Sequence, residues 1–371
     1  MMRKKTAIVT MYHNNVNYGA NLQAYALVKI CNDMGYDTEV IDFYDGSKVR
    51  YVASSFKRFI NSFAKRKELK DRDKAVKGFR DSIKHSKLYC LPDIKKANEF
   101  YNCFIVGSDQ VWNPDWINEA YKLSFVGNKN YKFSYAASLG RKQLNENEKE
   151  LFGSMLKSFN AVSVREKSSV KLLSDLYGDK IEWVLDPTLL LDKTEWDRMS
   201  ERDCKAYGDY MFCYFLGDDL NARSLAVGYA KKHNLKIVTI PDMSGKSRDC
   251  DLDFGDEKVY NVSPEVFVSL IKNSKVVFTD SFHATVFSHI FEKEFFVFNQ
   301  KSSEMVERMV TLCSLFKTED RIIYKDEQFS EEYLEKPVKI DYSAGKETFN
   351  KMKEISLTFL EENLKKAENN V

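Results

Sequence analysis

Short apolar segments rich in β-branched and aromatic residues alternate with amphipathic segments along most of the chain, and this alternation limits the possible folds more than any other feature. Parallel sheets covered by helices produce it, because their strands are buried on both faces while each helix buries one side. A first series contains TAIVTMY, TEVIDFY, CFIVG, FSYAAS, AVSV and IEWVLDP, and a second contains YMFCYFLG, KIVTIPD, KVVFTD, FFVFN and RIIY. The sequence therefore predicts two α/β domains.

A charged stretch between the two series marks the predicted domain boundary. We expect an N-terminal domain over residues 1–195 and a C-terminal domain over residues 196–344, followed by a helix over residues 345–371 that packs back across the domains. With 371 residues, of which 43% are apolar, the chain is long enough for two packed cores. Ligands of doubly wound sheets bind beyond the carboxyl ends of the strands, so polar residues at those ends are the first candidates for a functional site.

Charge, cysteine spacing and hydropathy argue against several classes of protein. The formal net charge is only +2, so the chain as a whole does not require nucleic acid as a partner. Its seven cysteines form no CxxC pair, so we predict neither a metal site nor a disulfide framework. No apolar run approaches the roughly 20 residues of a membrane-spanning helix, and the N-terminus does not read as a signal peptide. We expect a cytoplasmic protein.

Polar residues follow the first predicted strand in the stretch HNNVNYGANLQ. Here Gly19 permits a tight turn, and Asn17 and Asn21 lie on either side of it at the start of a helix. The stretch differs from the GxGxxG fingerprint of dinucleotide-binding proteins. Because the N–H groups at a helix start bind anions and sugar hydroxyls, we expect these three residues to contact substrate.

Two further junctions carry side chains suited to catalysis. VGSDQVWNP contains Ser108 and Asp109 at the end of a strand, and Trp112, whose ring can stack on a sugar. TDSFHATVFS contains Ser281 and His283 where a buried strand turns into a helix. An imidazole exchanges protons near neutral pH, and at a helix start it lies beside N–H groups that attract anions. We predict that Asp109 and His283 are catalytic and that Ser108, Trp112 and Ser281 bind substrate.

Six motifs together resemble those of the polysaccharide pyruvyl transferase family. In chain order they are NYGANLQAYAL, FIVGSDQVWNP, SYAASLG, VSVREKSSVKLL, VLDPTLLL and TDSFHATVFS, within residues 7–316. The resemblance implies two Rossmann-like domains that face each other across a cleft, as in GT-B enzymes, with the acceptor on the N-terminal side and the donor on the C-terminal side. It also implies transfer of a pyruvyl group from phosphoenolpyruvate to a sugar of a surface polysaccharide or its precursor. The product is a ketal, and no cofactor is expected.

Ketal formation assigns roles to individual residues. It needs an acid for the methylene carbon of phosphoenolpyruvate, cations or N–H donors for its anionic groups, and a base for the sugar hydroxyl. His283 is the candidate acid and Asp109 the candidate base. The planar guanidinium of Arg165, which follows a predicted strand, suits bidentate binding of a carboxylate or phosphate. Asp186, at another strand end, can orient a hydroxyl.

One position departs from the family pattern. Better characterised pyruvyl transferases have an arginine that binds phosphoenolpyruvate two residues before the helical histidine, whereas this chain has Ser281. Either another cation, such as Arg308 or Arg141, replaces it, or the donor differs. The alternatives are therefore a GT-B glycosyltransferase that uses a nucleotide sugar, and a non-catalytic glycan-binding protein on the same fold.

A strongly basic segment lies within a predicted helical insertion over about residues 48–100. Residues 48–87 contain 14 Lys or Arg against 4 Asp or Glu, and the apolar residues among these charges are Phe56, Phe59, Ile60, Phe63 and Phe79. The pattern is that of a solvated helical insertion or of a basic amphipathic helix that docks on an anionic membrane. The second interpretation predicts a protein that associates peripherally with the inner face of the membrane.

Overall fold

The chain divides into two units, of which the first comprises Met1–Lys65, Lys77–Leu191 and Asn350–Val371 and the second Arg66–Val76 and Asp192–Phe349. The charged stretch predicts a boundary after residue 195, and the structure has it between Leu191 and Asp192. The computed structural model describes residues 5–64, 67–178, 180–200, 204, 207–242, 248–299, 306–324 and 339–369.

A parallel sheet forms the centre of the first unit. The strands of this part of the chain are β1 (Lys5–Val9), β2 (Thr38–Val40), β3 (Phe43–Tyr44), β4 (Tyr89–Cys90), β5 (Tyr101–Val106), β6 (Tyr131–Ser134), β7 (Val162–Val164) and β8 (Ile181–Trp183). The main sheet has the order β2-β1-β5-β6, and β3 pairs with β4 and β7 with β8, all in parallel. Single bridges from Phe133 to Ala161 and from Ala137 to Val164 connect β6 to β7. The central strands β1 and β5 consist mainly of buried apolar residues, because helices cover the sheet.

Helices connect these strands. They are α1 (Tyr18–Asp33), α2 (Lys48–Ala64), α3 (Lys67–Ser82), α4 (Glu146–Leu156) and α5 (Lys167–Tyr177), with short 3-10 helices at Ile94–Glu99 and Pro187–Leu189. Local sequence explains where several begin. Asn17 accepts a hydrogen bond from the backbone N–H of Ala20 at the start of α1, and Asn145 and Glu148 form a capping box at the start of α4.

A six-stranded parallel sheet forms the centre of the second unit. Its strands are β9 (Tyr210–Tyr214), β10 (Lys236–Thr239), β11 (Glu257–Lys258), β12 (Val276–Thr279), β13 (Glu294–Asn299) and β14 (Ile322–Tyr324), in the order β11-β10-β9-β12-β13-β14. The accompanying helices are α6 (Lys193–Met199), α7 (Leu220–His233), α8 (Asp249–Leu252), α9 (Pro264–Asn273), α10 (Phe282–Ile290) and α11 (Val306–Phe316). The predicted α/β class, with two parallel sheets covered by helices, is confirmed.

The last helix, α12 (Lys346–Asn369), belongs to the first unit from Asn350 onward. Its Ser356 hydroxyl accepts a hydrogen bond from the backbone N–H of Leu185 at 2.9 Å, and the side-chain Oδ1 of its Asn363 accepts one from the Tyr131 hydroxyl at 2.8 Å. Phe359 lies edge-on to Phe133. The residues after the second sheet therefore complete the core of the first unit.

The described residues contain neither a membrane-spanning helix nor a metal-binding cluster. None of the helices in those ranges combines the length and hydropathy that crossing a membrane requires. Within the same ranges, no three His, Cys, Asp or Glu side chains come together in a way that would hold a metal ion.

Candidate functional site

The first sheet reverses its strand order between β1 and β5. The chain adds β2 on one side of β1 and later β5 on the other, and ligands of doubly wound sheets bind at such a switch point. The buried side chains of Thr10 and Gln23 connect the two strand ends through the backbone of Ser108. The Gln23 amide donates to Thr10 Oγ1 at 2.9 Å and accepts from the Ser108 N–H at 3.1 Å, while Thr10 Oγ1 donates to the Ser108 carbonyl at 3.1 Å. These bonds fix the loops that follow both strands.

A glycine makes the turn after β5 possible. Gly107 has a φ of +123°, and a Cβ at this position would lie 2.1 Å from the carbonyl oxygen of Tyr135. Any other residue would therefore displace the backbone of the neighbouring strand end. The next two residues, Ser108 and Asp109, are positioned by this turn.

Arg165, which follows β7, lies among three carboxylates. Its Nη1 donates to Asp186 Oδ2 at 2.9 Å, its Nη2 lies 3.8 Å from Asp109 Oδ1, and its Nε lies 3.5 Å from Glu166 Oε1. The side chains of Arg165 and Asp186 are only 4% and 0% exposed. Burial by itself would lower the pKa of Arg165, but Glu166, Asp186 and Asp109 together raise it. The guanidinium is therefore a buried, permanently charged counterion.

The surroundings of Arg165 bear on its predicted contact with a substrate anion. An anion that approached this guanidinium would also approach the carboxylates of Asp109, Glu166 and Asp186, which repel it. The anion contact of Arg165 stays a prediction, and the observed contacts assign this residue to the internal support of the site.

The side chains of Asp186 and Ser108 form hydrogen bonds with neighbouring groups of the protein. Asp186 Oδ1 accepts from the N–H and hydroxyl of Thr188 at 3.0 and 2.7 Å, and the Ser108 hydroxyl lies 3.1 Å from both Asp186 Oδ2 and the Ala136 carbonyl. Both residues are almost completely buried. We therefore revise their predicted role from substrate binding to support of the loops. Asp109 retains slightly more exposure than its neighbours and is the predicted residue of this group nearest to solvent.

The structure also corrects the sugar-stacking role of Trp112. Its indole is fully buried, lies edge-on to Phe152 and Phe159, and donates from Nε1 to the Tyr121 carbonyl at 3.2 Å. A completely buried ring has no face left for a sugar. Trp112 is a core residue that the sequence pattern alone does not distinguish from a binding residue.

The start of α1 contains the remaining predicted residues of the first unit. Asn17 is exposed and caps the helix, whereas Asn21 is buried and donates to the carbonyls of Asn17 and Asn15 at 2.7 and 3.2 Å. Gly19 lies within the first helical turn and is buried, so the tight turn predicted for it is wrong. Asn17 therefore remains the exposed member of this predicted group.

Sequence reasoning missed a pair of residues at the same edge of the sheet. His13 follows β1, Asp42 follows β2, and the imidazole Nδ1 lies 2.6 Å from Asp42 Oδ1. The rings of Tyr44 and Tyr51 each lie 5.7 Å from the imidazole. A carboxylate at this distance orients the imidazole ring. Because the two residues are distant in sequence, only the pairing of β1 with β2 reveals their contact.

The second sheet has its switch point between β9 and β12. Asp280, directly after β12, accepts hydrogen bonds from the backbone N–H groups of Leu216 and Gly217 at 2.6 and 2.7 Å, and these residues follow β9. Burial raises the pKa of Asp280, although the two N–H bonds and the charges of Arg223 and Arg248 act in the opposite direction. Asp280 thus joins the two strand ends that flank the switch point.

Two arginines that no motif marks fix the loop after β9. Arg248 donates to the carbonyls of Leu216, Gly217 and Phe215 at 2.6, 2.9 and 2.9 Å. Arg223 donates to the Gly217 carbonyl at 3.1 Å, and its Nη2 lies 2.6 Å from Asp251 Oδ1. The arginines donate hydrogen bonds to the carbonyls of this loop, and Asp280 accepts hydrogen bonds from the N–H groups of the loop. Together these bonds fix the backbone conformation of the loop.

Helix α10 begins directly after Asp280, and Ser281 is its N-cap. The Ser281 hydroxyl accepts from the Ala284 N–H at 3.5 Å, and the Ser281 N–H donates to Thr279 Oγ1 at 3.0 Å. His283 is the second residue of the helix, 7% exposed, with its ring perpendicular to that of Phe282 at 5.1 Å. Serine performs a capping function here that arginine cannot perform.

Arg308 brings a guanidinium to the start of α10. Its Cζ lies 5.7 Å from the centre of the Phe282 ring, next in sequence to His283. The helices α10 and α11 also meet where the Thr285 hydroxyl lies 3.8 Å from Met309 Sδ. The structure thus places Arg308 against Phe282, the residue between Ser281 and His283. Arg141, the other candidate for the missing cation, belongs to the first unit and forms ion pairs with Asp115 and Glu148.

Comparisons with known proteins bear on both the family and the fold. A family model described as polysaccharide pyruvyl transferase matches residues 17–302. No curated protein sequence matches the chain significantly.

Solved structures resemble the chain in fold at low sequence identity. A UDP-N-acetylglucosamine 2-epimerase from Listeria monocytogenes is 13% identical with a TM-score of 0.57, and the match covers 95% of this chain and 91% of that one. The enzyme of the same name from Neisseria meningitidis, solved with UDP-GlcNAc, is 13% identical with a TM-score of 0.56, covering 97% and 99%. The glycotransferase of kitacinnamycin is 11% identical with a TM-score of 0.50, covering 99% and 98%. At these identities the likeness extends to the fold alone.

Proposed function

Because this chain belongs to the polysaccharide pyruvyl transferase family, with the match extending over residues 17–302, we propose that it transfers a pyruvyl group from phosphoenolpyruvate to a sugar. The acceptor is a sugar of a surface polysaccharide or of its precursor, and the product is a cyclic ketal. The observation that carries the proposal is this family match together with the position of His283 at the start of α10.

The proposed reaction conserves the atoms and protons of phosphoenolpyruvate and of two sugar hydroxyls. The methylene carbon of phosphoenolpyruvate gains one proton, and two sugar hydroxyls add in turn to C2 and lose their protons. The bond from C2 to the phosphate oxygen breaks, and inorganic phosphate leaves with the second proton. The protein must therefore deliver one proton to carbon and remove protons from hydroxyls.

His283 is the proposed acid. A helix start presents unpaired N–H groups and the positive end of the helix dipole, which favour the carboxylate and phosphate of the donor. An imidazole at the second position of α10 is adjacent to an anion bound in this way, and imidazoles release protons near neutral pH. Asp109 is the proposed base, because its side chain is more exposed than that of Asp186, another of the carboxylates around Arg165.

Arg308 is the proposed replacement for the arginine that Ser281 displaces. Its guanidinium packs on Phe282, next to His283, and an arginine fork suits phosphate and carboxylate groups. The contribution of Arg308 is separate from that of the serine, because Ser281 caps the helix and a guanidinium from α11 supplies the charge.

The proposal is tested by supplying the purified protein with phosphoenolpyruvate and sugar acceptors and measuring release of inorganic phosphate. His283→Ala should reduce the rate by roughly 10²–10⁴-fold, the usual contribution of a positioned acid. His233→Ala is a matched control, since His233 is an exposed histidine of the same unit, and it should leave the rate unchanged.

Two outcomes would contradict the proposal. If nucleotide sugars release nucleoside diphosphate while phosphoenolpyruvate releases no phosphate, the protein is a glycosyltransferase. If neither donor reacts and glycans still bind to the His283→Ala variant, the protein is a glycan-binding protein.

A further inference from the structure

The helix α2 (Lys48–Ala64) presents apolar side chains to solvent. Val49, Val52 and Phe56 are 80%, 65% and 64% exposed, the highest values of any large apolar side chains along this helix within its described part. Their spacing of three and four residues places them on one side of the helix. A helix that packs as an ordinary surface element turns such a stripe toward the core, so this orientation requires an explanation.

The opposite side of α2 holds the helix to the first unit. Tyr51, Ser54 and Ser55 are less exposed than the stripe, and they lie on the other side of the helix. The Tyr51 ring packs perpendicular to the Tyr44 ring at 5.3 Å and lies 5.7 Å from the His13 imidazole. The aromatic contacts of Tyr51 thus fix the helix in the orientation that exposes the apolar stripe.

Positive charges lie on the same helix as the apolar stripe, where Lys48, Arg50 and Lys57 are exposed. The next helix along the chain, α3, has exposed lysines at positions 67, 70, 74 and 77. Spacings of three and four residues place these four lysines along one side of α3. The segment 48–87 has 14 Lys or Arg against 4 Asp or Glu, and this excess of positive charge favours an acidic partner.

We propose that α2 lies in the interface of an anionic phospholipid bilayer, with Val49, Val52 and Phe56 inserted among the acyl chains and the basic residues on the headgroups. Apolar residues on one side of a helix with basic residues beside them are the features of interfacial helices, and anionic lipids attract each nearby Lys or Arg. A second copy of this chain is a less favourable occupant, because a symmetric contact through α2 would bring two basic segments together.

Cosedimentation of the whole protein with vesicles tests the proposal. We expect binding to vesicles of phosphatidylglycerol and phosphatidylcholine, and little binding to vesicles of phosphatidylcholine alone. The variant with Val49→Ser, Val52→Ser and Phe56→Ser should bind at least tenfold more weakly. Arg50→Glu combined with Lys57→Glu should also weaken binding, by on the order of fivefold or more for each charge, and added salt should weaken binding of the unaltered protein.

The control variant is Leu220→Ser with Val227→Ser, which removes two exposed apolar side chains from α7 in the second unit and should leave binding unchanged. Thermal unfolding of every variant shows whether it folds. The proposal is wrong if the unaltered protein does not bind anionic vesicles, or if the α2 variants that fold bind as well as it does. It is also wrong if the unaltered protein forms a dimer that the α2 serine variant abolishes, because α2 would then be an interface between copies.

Discussion

At the carboxyl edge of the first sheet, polar side chains bond mainly to one another, whereas at the edge of the second sheet they bond mainly to the backbone of a loop. In the first unit Thr10, Gln23 and Ser108 connect the strand ends, and Arg165 lies among carboxylates. In the second unit Arg248 and Asp280 bond the carbonyl and N–H groups of residues 215–217.

The difference indicates that the polar side chains of the first edge mainly support the loops, whereas the second edge leaves side chains available for the reaction. A buried network of side chains is costly to disturb, because each removed partner leaves a polar or charged group without compensation. Backbone bonds to a loop fix its position and leave the side chains of the adjacent helix start for other uses. The first edge accordingly contains residues revised to a supporting role, such as Asp186, while the second contains His283 at the start of α10.

Replacing Arg165 with methionine should lower the free energy of unfolding by about 3–5 kcal/mol, because the buried carboxylate of Asp186 loses its counterion. Arg248→Met should cost less, roughly 1–3 kcal/mol, because Arg248 is more exposed than Arg165 and its ion-pair partner Asp251 keeps a second counterion in Arg223. Urea unfolding of both variants measures the difference. Equal losses, or an Arg165→Met variant as stable as the unaltered protein, would contradict the comparison.

Mild acid should destabilise the second unit through His289. Burial lowers the pKa of this imidazole to about 4, and it is enclosed between the Thr285 carbonyl at 2.8 Å and the Thr318 hydroxyl at 3.0 Å. In the unfolded chain the imidazole binds a proton at higher pH, near 6.5. Between pH 6.5 and 4 the unfolded state therefore binds more protons, and stability falls as the pH falls, by on the order of 3 kcal/mol.

The measurement compares the free energy of unfolding at pH 7 and pH 4.5. His289→Gln should be less stable at pH 7 and should lack this part of the pH dependence, whereas the exposed His233→Gln should retain it. A His289→Gln variant whose stability varies with pH as steeply as that of the unaltered protein would show that another group is responsible.

Ser281→Ala should lower stability by about 1 kcal/mol, since α10 loses its N-cap, and Ser281→Asp should restore most of that loss. Ser263→Ala, which removes the N-cap of α9, is the matched control with a similar effect on stability. Thermal unfolding and the phosphate-release rate should be measured for each variant. If Ser281→Ala reduces the rate far more than Ser263→Ala, Ser281 contacts substrate as the sequence analysis predicts, and its role extends beyond capping.

The position of residues along the elements could be predicted from the sequence, but their contacts could not. The sequence pattern predicts that Ser281 and His283 lie at a junction between a strand and a helix, and α10 begins there. The contact of His13 with Asp42, by contrast, depends on which strands pair, and Arg223 and Arg248 reach the loop after β9 from outside any recognisable motif. Trp112 and Gly19 are residues for which the predicted ligand contact was not supported, because Trp112 is enclosed in the core and Gly19 lies in a buried helical turn.

The sequence by itself determined the α/β class, the family and the location of the polar residues at strand ends, because the periodicity of apolar residues and the order of motifs are properties of the chain alone. Tertiary structure decided which of those polar residues bond to one another and which keep some exposure, and it turned the apolar side of α2 outward. The physical reason is that burial and pairing arise from neighbours distant in sequence. A carboxylate such as Asp186 therefore becomes a support only when the fold brings Arg165 and Ser108 to it.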